Sequence, residues 1–197
     1  MRVISGSARG RALKAVPGMG TRPTTDKVKE AIFSIIGPYF EGGNVLDLFA
    51  GTGGLGIEAL SRGMTKGIFV DLEYKAIETV KHNLKQAGFS DKAEVYKNEA
   101  ERALRALAKR EIGFDLVFLD PPYRLKHGDK LMLQMEELGL VSIGTAIVLE
   151  YESSYEYPET VGGFTLTRKA VYGETAVSIY RYEAAEAEGA SSGEEIL

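Results

Sequence analysis

Residues 44–56 read NVLDLFAGTGGLG. The apolar run from Asn44 to Phe49 carries Asp47 near its end and breaks into a turn holding Gly51, Gly53, Gly54 and Gly56. A short apolar strand that runs through glycines into a helical pattern is the β-to-α junction of an open α/β sheet. Glycines there let the main chain approach a ligand closely, and the helix that follows offers unbonded N–H groups. Ligands of such sheets sit outside the carboxyl ends of the strands.

Outward from this junction the same alternation continues. Helical spacing predicts helices near 54–62, over Glu73 to Ala87 with a stop at Gly88, near 99–109 and over 128–138. Between them lie apolar runs at Gly67 to Val70, Ala93 to Tyr96, Phe114 to Leu119 and Ala146 to Glu150. Apolar strands alternating with amphipathic helices imply a parallel sheet covered on both faces. Phe164 to Arg168 and Val171 to Tyr182 follow one another without a helix, which predicts an antiparallel hairpin at the sheet edge. Upstream, Thr24 or Thr25 caps a helix over 25–36 that ends at Gly37-Pro38. Residues 2–16 read as a small β-hairpin or arm, and Pro17 to Gly20 as a turn. The expected fold is α/β, a mostly parallel seven-stranded sheet with an antiparallel C-terminal hairpin and a small N-terminal β-arm. The expected division is an arm over 1–23, a domain over 24–183 and an acidic, disordered tail over 184–197.

Composition narrows the function classes. The 197 residues suffice for one substantial core. There is no cysteine, which excludes disulfides and thiolate metal sites, and only His82 and His127 are available as imidazole ligands. No metal is therefore expected. No apolar run spans a membrane and no signal peptide opens the chain, so a cytoplasmic protein, taken as a monomer, is the expectation. Net charge is −4, but it is unevenly spread. Residues 1–30 carry seven bases against two acids, and residues 183–197 carry five acids and no base. Phosphate binding follows local Lys/Arg density, so the arm is a candidate nucleic-acid surface despite the acidic total. A solvated arm without a partner is the competing reading.

Asp71 follows Gly51 by twenty residues, at the end of the second strand, where a carboxylate can accept hydrogen bonds from ribose hydroxyls. Gly51, Gly53 and Gly56 with Asp71 also satisfy the dinucleotide fingerprint. Asp47 weighs against that reading, because a carboxylate four residues before Gly51 repels a pyrophosphate and suits a cation. S-adenosylmethionine carries a sulfonium and an ammonium and no phosphate. The chain also lacks a second domain for hydride transfer. Asn98 and Glu99, after the third strand, can meet the adenine of the same nucleoside. They serve equally well as a helix cap (Asn98) and a first-turn acid (Glu99).

Asp120-Pro121-Pro122-Tyr123 directly follows the most apolar strand. An exocyclic amine on a base is a poor nucleophile, since its lone pair is delocalised into the ring. It needs acceptors for its N–H groups that favour a tetrahedral nitrogen. Asp120 supplies a carboxylate, Pro121 a carbonyl whose direction Pro122 restricts, and Tyr123 a ring for stacking. The base must be unstacked, or presented from a loop, to reach them. A strand-ending turn capped by Asp120 is the plainer alternative.

The pairing of Asp47-x-Phe49-x-Gly51-x-Gly53 with Asp120-Pro-Pro-Tyr123 resembles the amino-methyltransferases of the class I Rossmann-like fold. Arg2-Val-Ile-Ser-Gly6, Arg9-Gly-Arg11 and Arg22-Pro-Thr-Thr-Asp26-Lys-Val-Lys-Glu30 resemble the bacterial 16S rRNA guanine-N2 methyltransferase family, the RsmD type, up to about Tyr182. The resemblance implies S-adenosylmethionine as cofactor and methyl transfer to N2 of a guanine in 16S rRNA or the assembling small subunit. The candidate cofactor residues are then Asp47, Phe49, Gly51, Gly53, Asp71, Asn98 and Glu99. The candidate catalytic residues are Asp120, Pro121, Pro122 and Tyr123, and the candidate RNA-binding residues Arg2, Arg9, Arg11 and Arg22. Three other readings stay open: a DNA adenine-N6 or cytosine-N4 methyltransferase, a glutamine-amide methyltransferase, and a non-catalytic RNA-binding protein on the same fold.

Overall fold

The structure, a computed structural model, describes residues 1–18, 24–122 and 124–184. Arg22, Tyr123, the end of the expected Pro17–Gly20 turn and the tail beyond residue 184 lie outside those residues. Five α-helices and eight strands form among the described residues. They are α1 (Asp26–Ile36), β1 (Asn44–Asp47), α2 (Gly54–Ser61), β2 (Lys66–Asp71), α3 (Tyr74–Ala87), β3 (Ala93–Lys97), α4 (Ala100–Ala108), β4 (Phe114–Leu119), α5 (Gly128–Glu137), β5 (Val141–Glu152), β6 (Thr160–Val161), β7 (Phe164–Tyr172) and β8 (Thr175–Tyr182). The sheet order is β3-β2-β1-β4-β5-β8-β7-β6. The first five are parallel, and β8, β7 and β6 close the edge antiparallel. The expected seven strands become eight because two residues, Thr160 and Val161, pair with β7.

The helices begin and end where local chemistry dictates. Thr25 caps α1 by accepting the Val28 N–H at 3.3 Å, and Gly37 returns its own N–H to the Phe33 carbonyl. In α3, Ala76, Ile77, Val80, Leu84 and Ala87 form one buried face, and Gly88 in the left-handed region ends the helix. Two expected strands were short: β7 runs on to Tyr172 instead of ending at Arg168, so β8 starts at Thr175 and not at Val171, and β5 starts early. β5 begins at Val141, five residues before the predicted Ala146, because the ladder to β4 is interrupted between Phe114 and Leu116. The interruption is a bulge containing Gly144 at φ 92°, and Thr145 secures it by donating to the Phe114 carbonyl.

Two cores flank the sheet. One, with Phe33, Ile57, Phe69, Val80 and Phe118, lies under α1, α2 and α3; the other, with Leu46, Leu104, Val117, Met132 and Leu149, lies under α4 and α5. Each fully buried side chain of this kind contributes about 1.5–3 kcal/mol. Gly56 lets α2 approach β2, since a methyl group there would overlap the Phe69 ring.

The arm is built into the first core. Val3 donates to the Arg11 carbonyl and Gly10 to the Val3 carbonyl, each at 2.9 Å, so the arm doubles back on itself. Val3, Ala8 and Leu13 are buried. The Ile4 N–H donates to both carboxylate oxygens of buried Glu58 at 3.0 and 3.1 Å, and Glu58 pairs with Arg62 at 3.2 Å. Lys29 reaches the Arg2 carbonyl at 2.7 Å. Burial pushes its ammonium below the ordinary lysine range, opposed by Glu58 and Asp26.

Candidate active site

The chain runs outward from β1 to β3 and then returns to β4, so the crevice opens where β1 and β4 lie side by side. Asp47 ends β1, Asp120 follows β4, and Glu150 lies in β5 one residue beyond the register pair Leu119–Leu149. Those two leucines face the α4/α5 core, whereas Phe118 and Val148 face the other. Strand alternation therefore turns Asp120 and Glu150 toward the α1/α2 side. Hydrogen bonds agree with this. Asp47 accepts the Gly56 N–H of α2 at 3.1 Å, and Glu150 Oε2 accepts the Thr24 hydroxyl, just before α1, at 2.9 Å.

Three carboxyl groups thus share a desolvated corner. Burial pushes Asp47 up to about 8, partly opposed by the Gly56 N–H, with Asp71 adding repulsion. Asp120 keeps some solvent contact through the crevice, yet protein surrounds its carboxyl closely. Burial, then Glu150, then Asp47 drive it well above the carboxylate range. Burial also raises Glu150, against the Thr24 hydrogen bond. Among the described residues no group of His, Asp or Glu is arranged to hold a metal ion. Such a corner favours either protons or an organic cation.

The glycine loop borders these acids. Gly53 adopts φ 78° as the cap of α2, and the Gly51 N–H donates to Asp71 Oδ2 at 2.8 Å. Space is open beyond the Gly51 α-carbon. Asp71 Oδ1 accepts the Glu73 N–H at 2.9 Å, which leaves lone pairs on both oxygens for further donors. Phe49 is half-buried against the His127 ring. Asn98 donates its N–H to the Asp71 carbonyl, which ties the end of β3 to this edge. The cap of α4 is Glu99 and not Asn98, whose side chain instead accepts the Glu99 N–H. The Glu99 carboxylate is exposed and pairs with Arg102 at 3.5 Å. After Asp120, Pro121 is buried and Pro122 exposed, and the Pro122 carbonyl accepts the Leu125 N–H in a tight turn.

Arg2 lies 3.9 Å from Asp26, whereas Arg9 and Arg11 are exposed and without an ion pair among the described residues. A groove of about 630 Å³ runs between the arm and α1, lined by Arg2, Arg9, Lys27, Tyr39 and Arg62 among others. A cavity of about 510 Å³ lies near Phe40 and Asp115. Neither contains the three acids.

Residues 1–181 match the family model described as "Conserved hypothetical protein 95". The chain belongs to this family. It is 58% identical over 181 residues to "Putative rRNA methyltransferase YlbH" of Bacillus subtilis, covering 92% of this chain and 98% of that one. It is 31% identical over 184 residues to "Ribosomal RNA small subunit methyltransferase D" of Escherichia coli, covering 93% and 91%. Among solved structures, "Putative methyltransferase yhhF" of Escherichia coli superposes with a TM-score of 0.81 at 32% identity, covering 93% and 98%. An RNA methyltransferase of Salinibacter ruber, solved with S-adenosyl-L-homocysteine, shares the fold at a TM-score of 0.64 and 19% identity, covering 85% and 98%.

Two residues of the acidic corner, Glu150 and Thr24, are not marked by the sequence reading. In the sequence Glu150 reads as the end of a strand, and Thr24 as one of two candidate caps within the Arg22–Glu30 segment. Thr25 does the capping, which frees Thr24 to reach Glu150. The nearest signal was the Thr-Thr pair itself, which is one hydroxyl more than a cap needs.

Proposed function

We propose that the chain is an S-adenosylmethionine-dependent methyltransferase that modifies N2 of a guanine in small-subunit rRNA. The observation that carries this reading is the placement of Asp120 and Pro121 at the carboxyl end of β4, beside Asp47 and the glycine loop. The names of the two relatives point to rRNA, one of them to the small subunit. An rRNA substrate also fits a cytoplasmic enzyme, and among the described residues no helix is long and apolar enough to cross a membrane.

The cofactor fits the residues present. Asp47 is a buried carboxyl whose cost a sulfonium and ammonium would relieve, and Gly51 leaves its main chain open to a ligand. Asp47, Phe49, Gly51 and Gly53 would hold it, Asp71 would take its ribose hydroxyls, and Asn98 and Glu99 would serve its adenine. When bound, the cofactor supplies an electrophilic methyl group. Asp120 and the Pro121 carbonyl accept the two N–H groups of the target amine and turn its lone pair out of conjugation. On taking the methyl group the nitrogen would shed one proton, for which Asp120 is the acceptor; burial, Glu150 and Asp47 favour its protonated form in the empty site, and the cofactor's positive charge would favour the carboxylate. Pro122 fixes the direction of the Pro121 carbonyl, and Tyr123 stacks on the base.

RNA phosphates are held by the arm, residues 1–23, through Arg2, Arg9, Arg11 and Arg22. Arg9 and Arg11 are the cleanest test, since neither is tied to an acid among the described residues. Replacing both by alanine should weaken RNA binding and flatten its log–log salt dependence by ~0.7–1.8. S-adenosylmethionine affinity should not change. An unchanged salt slope would return the arm to a solvated role. The function itself is tested by nucleoside analysis of small-subunit rRNA from cells lacking the gene. Loss of an N2-methylguanosine is expected; an intact complement would overturn the assignment.

A further inference from the structure

We propose that Glu150 reads the ring N1–H of the target guanine and so makes the site refuse adenine and cytosine. This rests on the assignment of guanine N2 as the methyl acceptor and adds the residue that enforces it.

The argument is a count of donors against acceptors. On one edge guanine presents three N–H donors, two on N2 and one on N1. Adenine and cytosine present two on their amine, with a ring lone pair beside it. Asp120 and the Pro121 carbonyl match the two amine donors. A guanine-specific site needs a third acceptor, next to the first two and held still. Glu150 meets each requirement. It lies on the adjacent strand one residue beyond the register pair Leu119–Leu149, as Asp120 does on its side, and neighbouring strands are about 4.8 Å apart. Its side chain turns to the same face, it is only 8% exposed, and the two carboxyl groups repel each other. The Thr24 hydroxyl holds Oε2 at 2.9 Å, which fixes how the carboxylate is presented. An N1–H donated to it satisfies a buried acceptor. The N1–H of guanine stabilises the Glu150 carboxylate against the burial that favours its acid form, whereas the lone pair of adenine N1 or cytosine N3 leaves the carboxylate unsatisfied and is met only if Glu150 keeps a proton. Sites that hydrogen-bond a substrate group in this way reject analogues lacking it by ~10⁴-fold or more.

The competing role is structural, with Glu150 merely tethering Thr24 to the sheet. 2-Aminopurine separates the two, because it keeps the N2 amine but replaces N1–H with a lone pair. The experiment compares kcat/KM for rRNA carrying guanine or 2-aminopurine at the modified position, reconstituted into subunits where the subunit is the substrate. Wild-type protein should prefer guanine by at least ~10²-fold. Glu150→Gln, whose amide can donate to the lone pair, should bring the ratio to within about tenfold. Thr24→Val should fall between them. Comparing proteins on the same two RNAs cancels any difference in intrinsic amine reactivity. Equal use of guanine and 2-aminopurine by the wild type would overturn the proposal, whether or not the variants fold. A Glu150→Gln protein that binds S-adenosylhomocysteine normally and keeps the wild-type ratio would overturn it too. If the wild type forms no N2-methylguanine at all, the functional assignment fails first and this inference falls with it.

Discussion

Asp120→Ala should lower turnover by ~10²–10⁴-fold, the usual worth of a positioned proton acceptor, and leave S-adenosylmethionine affinity nearly intact. The asymmetry follows from where the carboxyl sits. Asp47, not Asp120, takes the main-chain N–H of the cofactor-side helix, and Asp71 holds the glycine loop. Asp120 is proposed to meet the amine. The variant should also be at least as stable as the wild type near neutral pH. It removes a carboxyl that burial, Glu150 and Asp47 all hold away from its ionised form. Lost activity with unchanged or raised melting temperature therefore separates chemistry from misfolding. Asp120→Asn keeps an acceptor oxygen but not the basicity, so it should fall between wild type and alanine. Wild-type turnover in Asp120→Ala, measured with saturating cofactor and rRNA, would remove this residue from the mechanism.

Asp47 gives the second large effect, a proton exchanged on cofactor binding. In the free protein burial holds this carboxyl at about 8, so it is protonated at neutral pH. A sulfonium and an ammonium favour the carboxylate, so binding should expel a proton. Affinity should rise with pH up to about 8, by at most ~tenfold per pH unit for one proton. Calorimetry in buffers of different ionisation enthalpy measures that proton directly. The cofactor's own amino group titrates in the same region, so the decisive quantity is the difference between wild type and Asp47→Asn. The variant should bind more weakly, with that part of the pH slope gone. Its stability should move the other way. A carboxyl whose folded pKa is raised contributes most below its ordinary value near 4, and that contribution is lost as pH rises through about 8. Asp47→Asn has no such loss, so the empty variant should gain on the wild type as pH rises to 8, by up to a few kcal/mol. Equal pH slopes for the two proteins would detach Asp47 from the cofactor.

The residues that announced themselves did so through local pattern. The glycine loop, Asp71 and Asp120-Pro121 each sit where a strand gives way to a turn, and composition changes abruptly there. The helices were legible because apolar residues recur at their period and Thr25, Gly37 and Gly88 punctuate them. Glu150 was illegible for the opposite reason. It is the one charge in the apolar run from Ala146 to Tyr151, but at the end of a predicted strand a charge reads as the strand reaching solvent. Only the pairing of β4 with β5 brings it beside Asp120, and register is a long-range property. The start of β5 was hidden in the same way, because Gly144 reads as a loop and belongs to a bulge. The arm concealed its burial as well. Val3, Ala8 and Leu13 follow neither a helical nor a strand period, and their burial is set by Glu58, Ser61 and Asn83 on helices far along the chain.

The most direct test of the central claim is methyl transfer in vitro. Small subunits from cells lacking the gene are incubated with the purified protein and S-adenosylmethionine labelled in its methyl group, and the rRNA is digested to nucleosides. The account predicts label in N2-methylguanosine, with none after Asp120→Ala. Label in a methylated adenine or cytosine, in ribosomal protein, or nowhere would contradict it.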